Sequence, residues 1–276
     1  MILRKAGLAA ATAVVLSLTA TACGGGDSGS GDGKINVGIK FDQPGLGLKT
    51  PNGEYTGFDV DVAKYVAKEL GYDEKDIVWK EAPSAERENM IANGDVKFIV
   101  GTYSITDERK QRVSFAGPYF LAHQDLLVRA DDNSVRTEKD LNTSDLKLCS
   151  VTGSTSAQNV KKDFAPKANL MQYGGYSECL TGLENKSVDA LTTDDSILAG
   201  YAAQEQHRGK FKLAGLSLSD EPYGIGLKKG DTKLQQQIND ALKKMVEDGS
   251  WEKAAKKHFG PANYQYEPAP EITEKG

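Results

Sequence analysis

Histidine is nearly missing from this 276-residue chain, with three residues, His123, His207 and His258, set far apart. No Ser, His and Asp follow one another in an order that suggests nucleophilic catalysis. An enzyme is therefore not expected, and neither is a metal or cofactor. Cysteine is scarce too, limited to Cys23, Cys149 and Cys179. No CxxC pair occurs, which excludes the common zinc and redox spacings. Cations do not dominate: 34 Lys and Arg face 39 Asp and Glu, for a formal net charge of −5. No dense Lys/Arg block appears, so a general nucleic-acid binder is not expected. Past the N-terminus, no apolar run is long enough to cross a bilayer.

What is present begins with Arg4 and Lys5, followed by the apolar, small-residue stretch Ala6–Leu18. A positive segment before a short apolar one reads as a signal peptide, here residues 1–22. Leu18-Thr-Ala-Thr-Ala-Cys23 resembles a bacterial lipoprotein cleavage box, so Cys23 is the expected lipidation site. Residues 23–33, almost all Gly, Ser and Asp after the cysteine, cannot build a core and read as a flexible tether. The folded part is then expected outside the cytoplasm, held to the membrane by its lipid. Export permits a disulfide. Cys149 and Cys179 remain after lipidation and are expected to pair; the alternative is two separate buried thiols.

From Lys34 onward, strand and helix patterns alternate, which argues for α/β architecture with mostly parallel sheets. Ile35–Ile39, Phe98–Val100, Leu126–Val128, Leu146–Val151 and Ala190–Thr192 read as strands. Asp59–Leu70 places Val62, Ala63, Val66, Ala67 and Leu70 on one helical face before Gly71. Arg87–Asn93 is a second helix ended by Gly94. Thr232–Asp248 and Ser250–His258 are two more, split by Gly249. Residues 260–276 are expected to be irregular.

Five segments, in order, resemble the amino-acid-binding proteins of ABC importers, the solute-binding protein family 3. They are Gly57-Phe-Asp-Val-Asp-Val-Ala-Lys64; Asn93–Arg109 with Phe115-Ala-Gly-Pro-Tyr119; Val151-Thr-Gly-Ser-Thr-Ser156; Val188-Asp-Ala-Leu-Thr-Thr-Asp194; and Glu221-Pro-Tyr-Gly-Ile-Gly-Leu227. Together they span nearly all of Lys34–Phe259. The resemblance implies a periplasmic-binding-protein-like fold. Two α/β lobes are joined by a two-strand hinge, with the ligand cleft between them. Lobe one would be 34–128 plus 221–259, and lobe two 129–220. The chain would cross near Leu127–Arg129 and return near Asp220–Tyr223.

The resemblance also implies a ligand, a free amino acid. Both charges of a buried zwitterion must be paired. Arg109 is the expected partner of the α-carboxylate, since a guanidinium grips it with two parallel bonds. Thr155, opening a helix, would serve the same carboxylate. Asp194 would take the α-ammonium, helped by the Thr102 carbonyl and the Ser104 hydroxyl. Lys40, Arg87 and Ser84 match positions that hold the side chain of an acidic ligand, and the first loop resembles that of glutamate-uptake members, which favours glutamate over aspartate. Glutamine or another polar amino acid remains the alternative. The expected partners are the permease subunits of the importer and the membrane, reached through the lipid anchor. A monomer is expected.

Overall fold

The computed structural model describes residues 33–275. The expected signal peptide, the expected lipidation site Cys23 and the expected tether up to residue 32 lie outside them. The chain opens with β1 (Ile35–Ile39) and a three-stranded antiparallel flap of β2 (Asp42–Gln43), β3 (Gly47–Lys49) and β4 (Tyr55–Thr56). Helix α1 (Phe58–Glu69), β5 (Ile77–Glu81), α2 (Arg87–Asn93), β6 (Phe98–Ile99) and the short α3 (Asp107–Lys110) follow. A long strand, β7 (Val113–Arg129), leaves this region. Next come β8 (Lys147–Val151), α4 (Thr155–Asn159), β9 (Asn169–Tyr173) and α5 (Tyr176–Glu184). After β10 (Ala190–Asp194), α6 (Asp195–Ala202) and β11 (Phe211–Leu213), β12 (Asp220–Lys228) returns. Helices α7 (Thr232–Glu247) and α8 (Ser250–Phe259) then pack on the first region.

Periodicity explains the helices. α1 buries Phe58, Val62, Ala63, Val66 and Ala67. It can start only at a glycine: Gly57 has φ 132°, and a Cβ there would stand 1.9 Å from the Leu46 carbonyl oxygen. α7 buries Leu234, Ile238, Ala241, Leu242 and Met245, and the Asp231 side chain caps it by accepting from the Leu234 N–H.

The main sheet has the order β5-β1-β6-β12-β7-β10-β8-β9, with β11 also on β7. β7 pairs with β12 as far as His123 and with β10 from Gln124 onward. That exchange of partners divides the molecule into two lobes. It falls before the crossing expected at 127–129. Phe120, Ala122 and Leu126–Val128 are all buried, and the exchange falls at the polar His123-Gln124-Asp125 between these apolar stretches, with Gln124 and Asp125 buried as well. The sheet is also more mixed than expected. β1 with β5 and β6, and β8 with β9 and β10, are parallel. The pairings of β7 and β12 are antiparallel, because one strand leaves the first lobe and the other returns to it.

Phe58, Phe120, Trp251 and Phe259 form an aromatic core with neighbouring ring centroids 5.1–6.3 Å apart. Residues 263–275 contain no regular element, yet they are docked. The rings of Tyr264 and Tyr266 each lie 5.5 Å from that of Phe259, the first edge-on and the second tilted. The Tyr264 hydroxyl donates to Asp195 Oδ1 at 2.8 Å, and Glu267 Oε1 lies 3.2 Å from His123 Nε2.

Cys149 of β8 and Cys179 of α5 are disulfide-bonded across a sequence separation of 30 residues. A cross-link closing such a loop stabilises by about 3–4 kcal/mol in the chain-entropy model. Replacing both cysteines by serine should lower the melting temperature by roughly 6–15 °C for a domain of this size. Scanning calorimetry checks this, and an unchanged melting point would contradict it.

Candidate functional site

Three cations from one lobe line the boundary between the lobes. Lys40 follows β1, Arg87 opens α2 and Arg109 lies in α3. Their exposures are 3%, 2% and 8%. The Tyr103 ring carries both guanidinium groups, with Arg87 4.9 Å and Arg109 5.0 Å from its centroid, a favourable cation–π arrangement. Arg87 Nε donates to the Ala82 carbonyl at 3.2 Å and Nη1 to the Thr102 carbonyl at 3.4 Å. Among the described residues it has no carboxylate within 4.0 Å. Burial, and then the charge of Arg109, lower its pKa. Lys40 is 3.5 Å from Asp42 Oδ1, and burial still lowers its pKa, with the Arg87 charge adding to the effect. Arg109 Nε is 3.6 Å from Glu88 Oε1.

Arg109 also bridges the lobes. Nη1 donates to the Ser104 carbonyl at 2.8 Å in its own lobe. Nη2 donates to the Gly153 carbonyl at 3.2 Å, in the loop between β8 and α4 of the other. The Ser104 hydroxyl is 3.4 Å from that of Thr155, the first residue of α4. Ser154 caps that helix by accepting from the Ala157 N–H at 3.0 Å.

Two buried carboxylates face this boundary, Asp194 at 3% exposure and Glu221 at 2%. Tyr223 donates its hydroxyl to Asp194 Oδ2 at 2.5 Å, and Ser156 donates to Oδ1 at 3.3 Å. Glu221 accepts from the Thr155 hydroxyl at 2.8 Å, the Ser219 hydroxyl at 3.0 Å and the Asn159 amide at 3.3 Å. These partners are all neutral. Burial, and then the Glu221 charge, hold the Asp194 carboxyl well above the usual carboxylate range. A cation placed between the two would relieve both effects.

The eight residues expected from sequence are held in different ways. Arg109, Ser104, Thr155 and Asp194 come together as described. Thr102 is engaged by its own lobe. Its φ is 46°, its N–H donates to Asp59 Oδ2 at 2.9 Å, and its carbonyl accepts from Arg87. That Asp59 carboxyl is fully buried and raised to about 6 by burial, against the bonds from Tyr119 and Thr102 that lower it. The Thr155 hydroxyl is already given to Glu221. Ser84 is buried in the turn before α2. The sequence reading missed Glu221, Tyr223 and Ser156. The first two belong to the Glu221–Leu227 segment, where an acid between Asp220 and Pro222, opening an otherwise apolar run, was the available signal.

The arrangement can pair an anion with guanidinium and hydroxyl donors on one side and a cation with carboxylates on the other. Residues 35–261 match the bacterial extracellular solute-binding proteins, family 3. The chain is 47% identical over 235 residues to the glutamate-binding protein GluB of Corynebacterium glutamicum, covering 82% of this chain and 78% of the relative. It is 42% identical over 225 residues to the ABC transporter glutamine-binding protein GlnH of Bacillus subtilis, covering 81% and 80%. A solved ancestral arginine-binding protein bound to glutamine superposes with a TM-score of 0.74 at 33% identity, covering 83% of this chain and 98% of that one. The chain therefore belongs to the bacterial extracellular solute-binding proteins of family 3, and it is a solute-binding protein of an ABC amino-acid importer rather than an enzyme.

Proposed function

We propose that this protein captures an acidic amino acid, glutamate in preference to aspartate, and hands it to the permease subunits of the importer. Arg87 carries the reading: a buried guanidinium held by two carbonyls and an aromatic face, with no carboxylate partner among the described residues. The distal carboxylate of glutamate supplies that partner, with Lys40 and Ser84 beside it. A glutamine amide would leave the charge unbalanced, and a buried charge without a partner is costly. The α-carboxylate binds Arg109 and Thr155. The α-ammonium binds Asp194, with Glu221 beside it and the Thr102 carbonyl and Ser104 hydroxyl completing the cage.

Closure is the mechanism. The open protein meets the ligand through Arg109, Thr102 and Ser104, and the second lobe then adds Thr155 and Asp194. The ligand shifts the population because only the closed state makes both sets of contacts. The lobes exchange at His123–Gln124 and at Ser219–Asp220. A signal peptide over 1–22, a lipid on Cys23 and the tether to residue 33 keep the monomer at the outer face of the membrane.

A thermal-shift panel of the common amino acids on residues 34–276 tests the ligand. Ligand at about a hundred times its Kd stabilises by about 2.7 kcal/mol. That should raise the melting temperature by roughly 5–10 °C, and most for glutamate. Stabilisation confined to glutamine or to basic amino acids would overturn the acidic-ligand reading.

A further inference from the structure

Strand β2 (Asp42–Gln43) and Pro44 of one lobe lie against α5 and α6 of the other. Asp42 Oδ2 accepts the N–H of Tyr176, the first residue of α5, at 3.1 Å. A carboxylate at a helix N-terminus is well placed, because unpaired N–H groups and the helix dipole converge there. Tyr201 of α6 donates its hydroxyl to the Asp42 carbonyl at 2.5 Å and lies 3.4 Å from Oδ2. Among the described residues the other carboxylate oxygen, Oδ1, has no hydrogen-bond partner, and it faces Lys40 Nζ at 3.5 Å. The approach depends on two glycines. A Cβ on Gly175 would stand 2.8 Å from Asp42 Oδ2, and one on Gly200 would stand 2.1 Å from the Pro44 carbonyl oxygen.

One side chain therefore touches the second lobe with one oxygen and the side-chain end of the cleft with the other. Separating the lobes removes the Tyr176 and Tyr201 bonds and frees Asp42 to turn toward water. Closing them fixes its carboxylate, and with it the ammonium of Lys40. We infer that Asp42 is a positioning residue that latches the lobes shut and, in the same act, sets Lys40 against the ligand's side chain. The inference rests on the amino-acid-binding reading above and adds the residue that couples recognition to closure.

Stopped-flow binding of L-glutamate, with L-glutamine as a second probe, tests it on wild type, Asp42→Asn and Tyr201→Phe. Asn keeps the volume but loses the charge-assisted bond, which is stronger than a neutral one. Dissociation should quicken about tenfold or more in Asp42→Asn and by about threefold in Tyr201→Phe, where a tenfold change corresponds to about 1.4 kcal/mol. Association should stay within about twofold, because the open protein meets ligand through residues left intact. The ligand-free melting temperatures should stay within about 2 °C of wild type. Unchanged dissociation in Asp42→Asn overturns the latch. So does a loss shared equally by association and ligand-free stability, which marks a merely structural role. Wild type that takes glutamine and refuses glutamate defeats the acidic-ligand reading, and the latch is then judged on the glutamine traces.

Discussion

Replacing Arg109 by alanine should lower affinity for the amino acid by about a thousandfold or more. Each charge-assisted bond to the ligand is worth roughly 1.5–3 kcal/mol, and a forked pair supplies two. Two bonds amount to about 3–6 kcal/mol, or roughly 10² to 10⁴ in Kd. The upper part of that range is expected. Alanine also removes the bridge to the Gly153 carbonyl, one of the bonds between the lobes. Arg109→Lys separates the two contributions. It keeps the charge, loses the fork, and should still cost at least about tenfold. Titration calorimetry reads both variants, with ligand-free melting as the check on folding. Near-normal affinity in Arg109→Ala would contradict the assignment.

Asp194→Asn should be nearly as damaging to binding and yet leave the ligand-free protein more stable. Removing one member of a buried charge pair costs about 3–5 kcal/mol, a loss of roughly 10² to 10³ or more in affinity. Without ligand the balance reverses, because Asp194 is buried beside Glu221 and neither has a cation partner among the described residues. Its carboxyl is raised above its unfolded value by burial and by Glu221. The folded state then holds a proton that the unfolded state has lost, so stability falls as pH rises from the ordinary carboxylate range through the raised value. Asparagine mimics the protonated form and removes that slope. The melting temperature of the ligand-free variant should match or exceed wild type at pH 5, and the gap should widen toward pH 8. A variant that melts lower at every pH would show that Asp194 is structural. Loss of function with a gain in stability is the usual mark of a group kept for binding.

Much of this was legible in the sequence, for identifiable reasons. Helices α1, α2, α7 and α8 are long or well capped, and their apolar residues repeat at helical spacing. Arg109 and Asp194 stand in local segments that resemble a known family, so their positions needed no long-range information. Glu221 escaped because its meaning is set by a residue 66 positions away, the Thr155 whose hydroxyl it holds. Asp42 escaped for the same reason, since its partner Tyr201 is 159 positions distant. The point where β7 changes partner was missed too: the polar His123-Gln124-Asp125 stands there in the sequence, but only the change of pairing from β12 to β10 gives that break its meaning. Local pattern identified the elements and nominated residues for the two ends of the proposed cleft. Contacts that form only when the lobes meet are written in pairs of distant residues.

A crystal structure with L-glutamate bound tests the central claim most directly. The account predicts the α-carboxylate on Arg109, the α-ammonium against Asp194 with Glu221 nearby, and the distal carboxylate at Arg87 and Lys40. A ligand lying outside the boundary between the lobes, or one whose ammonium sits away from Asp194, would contradict it.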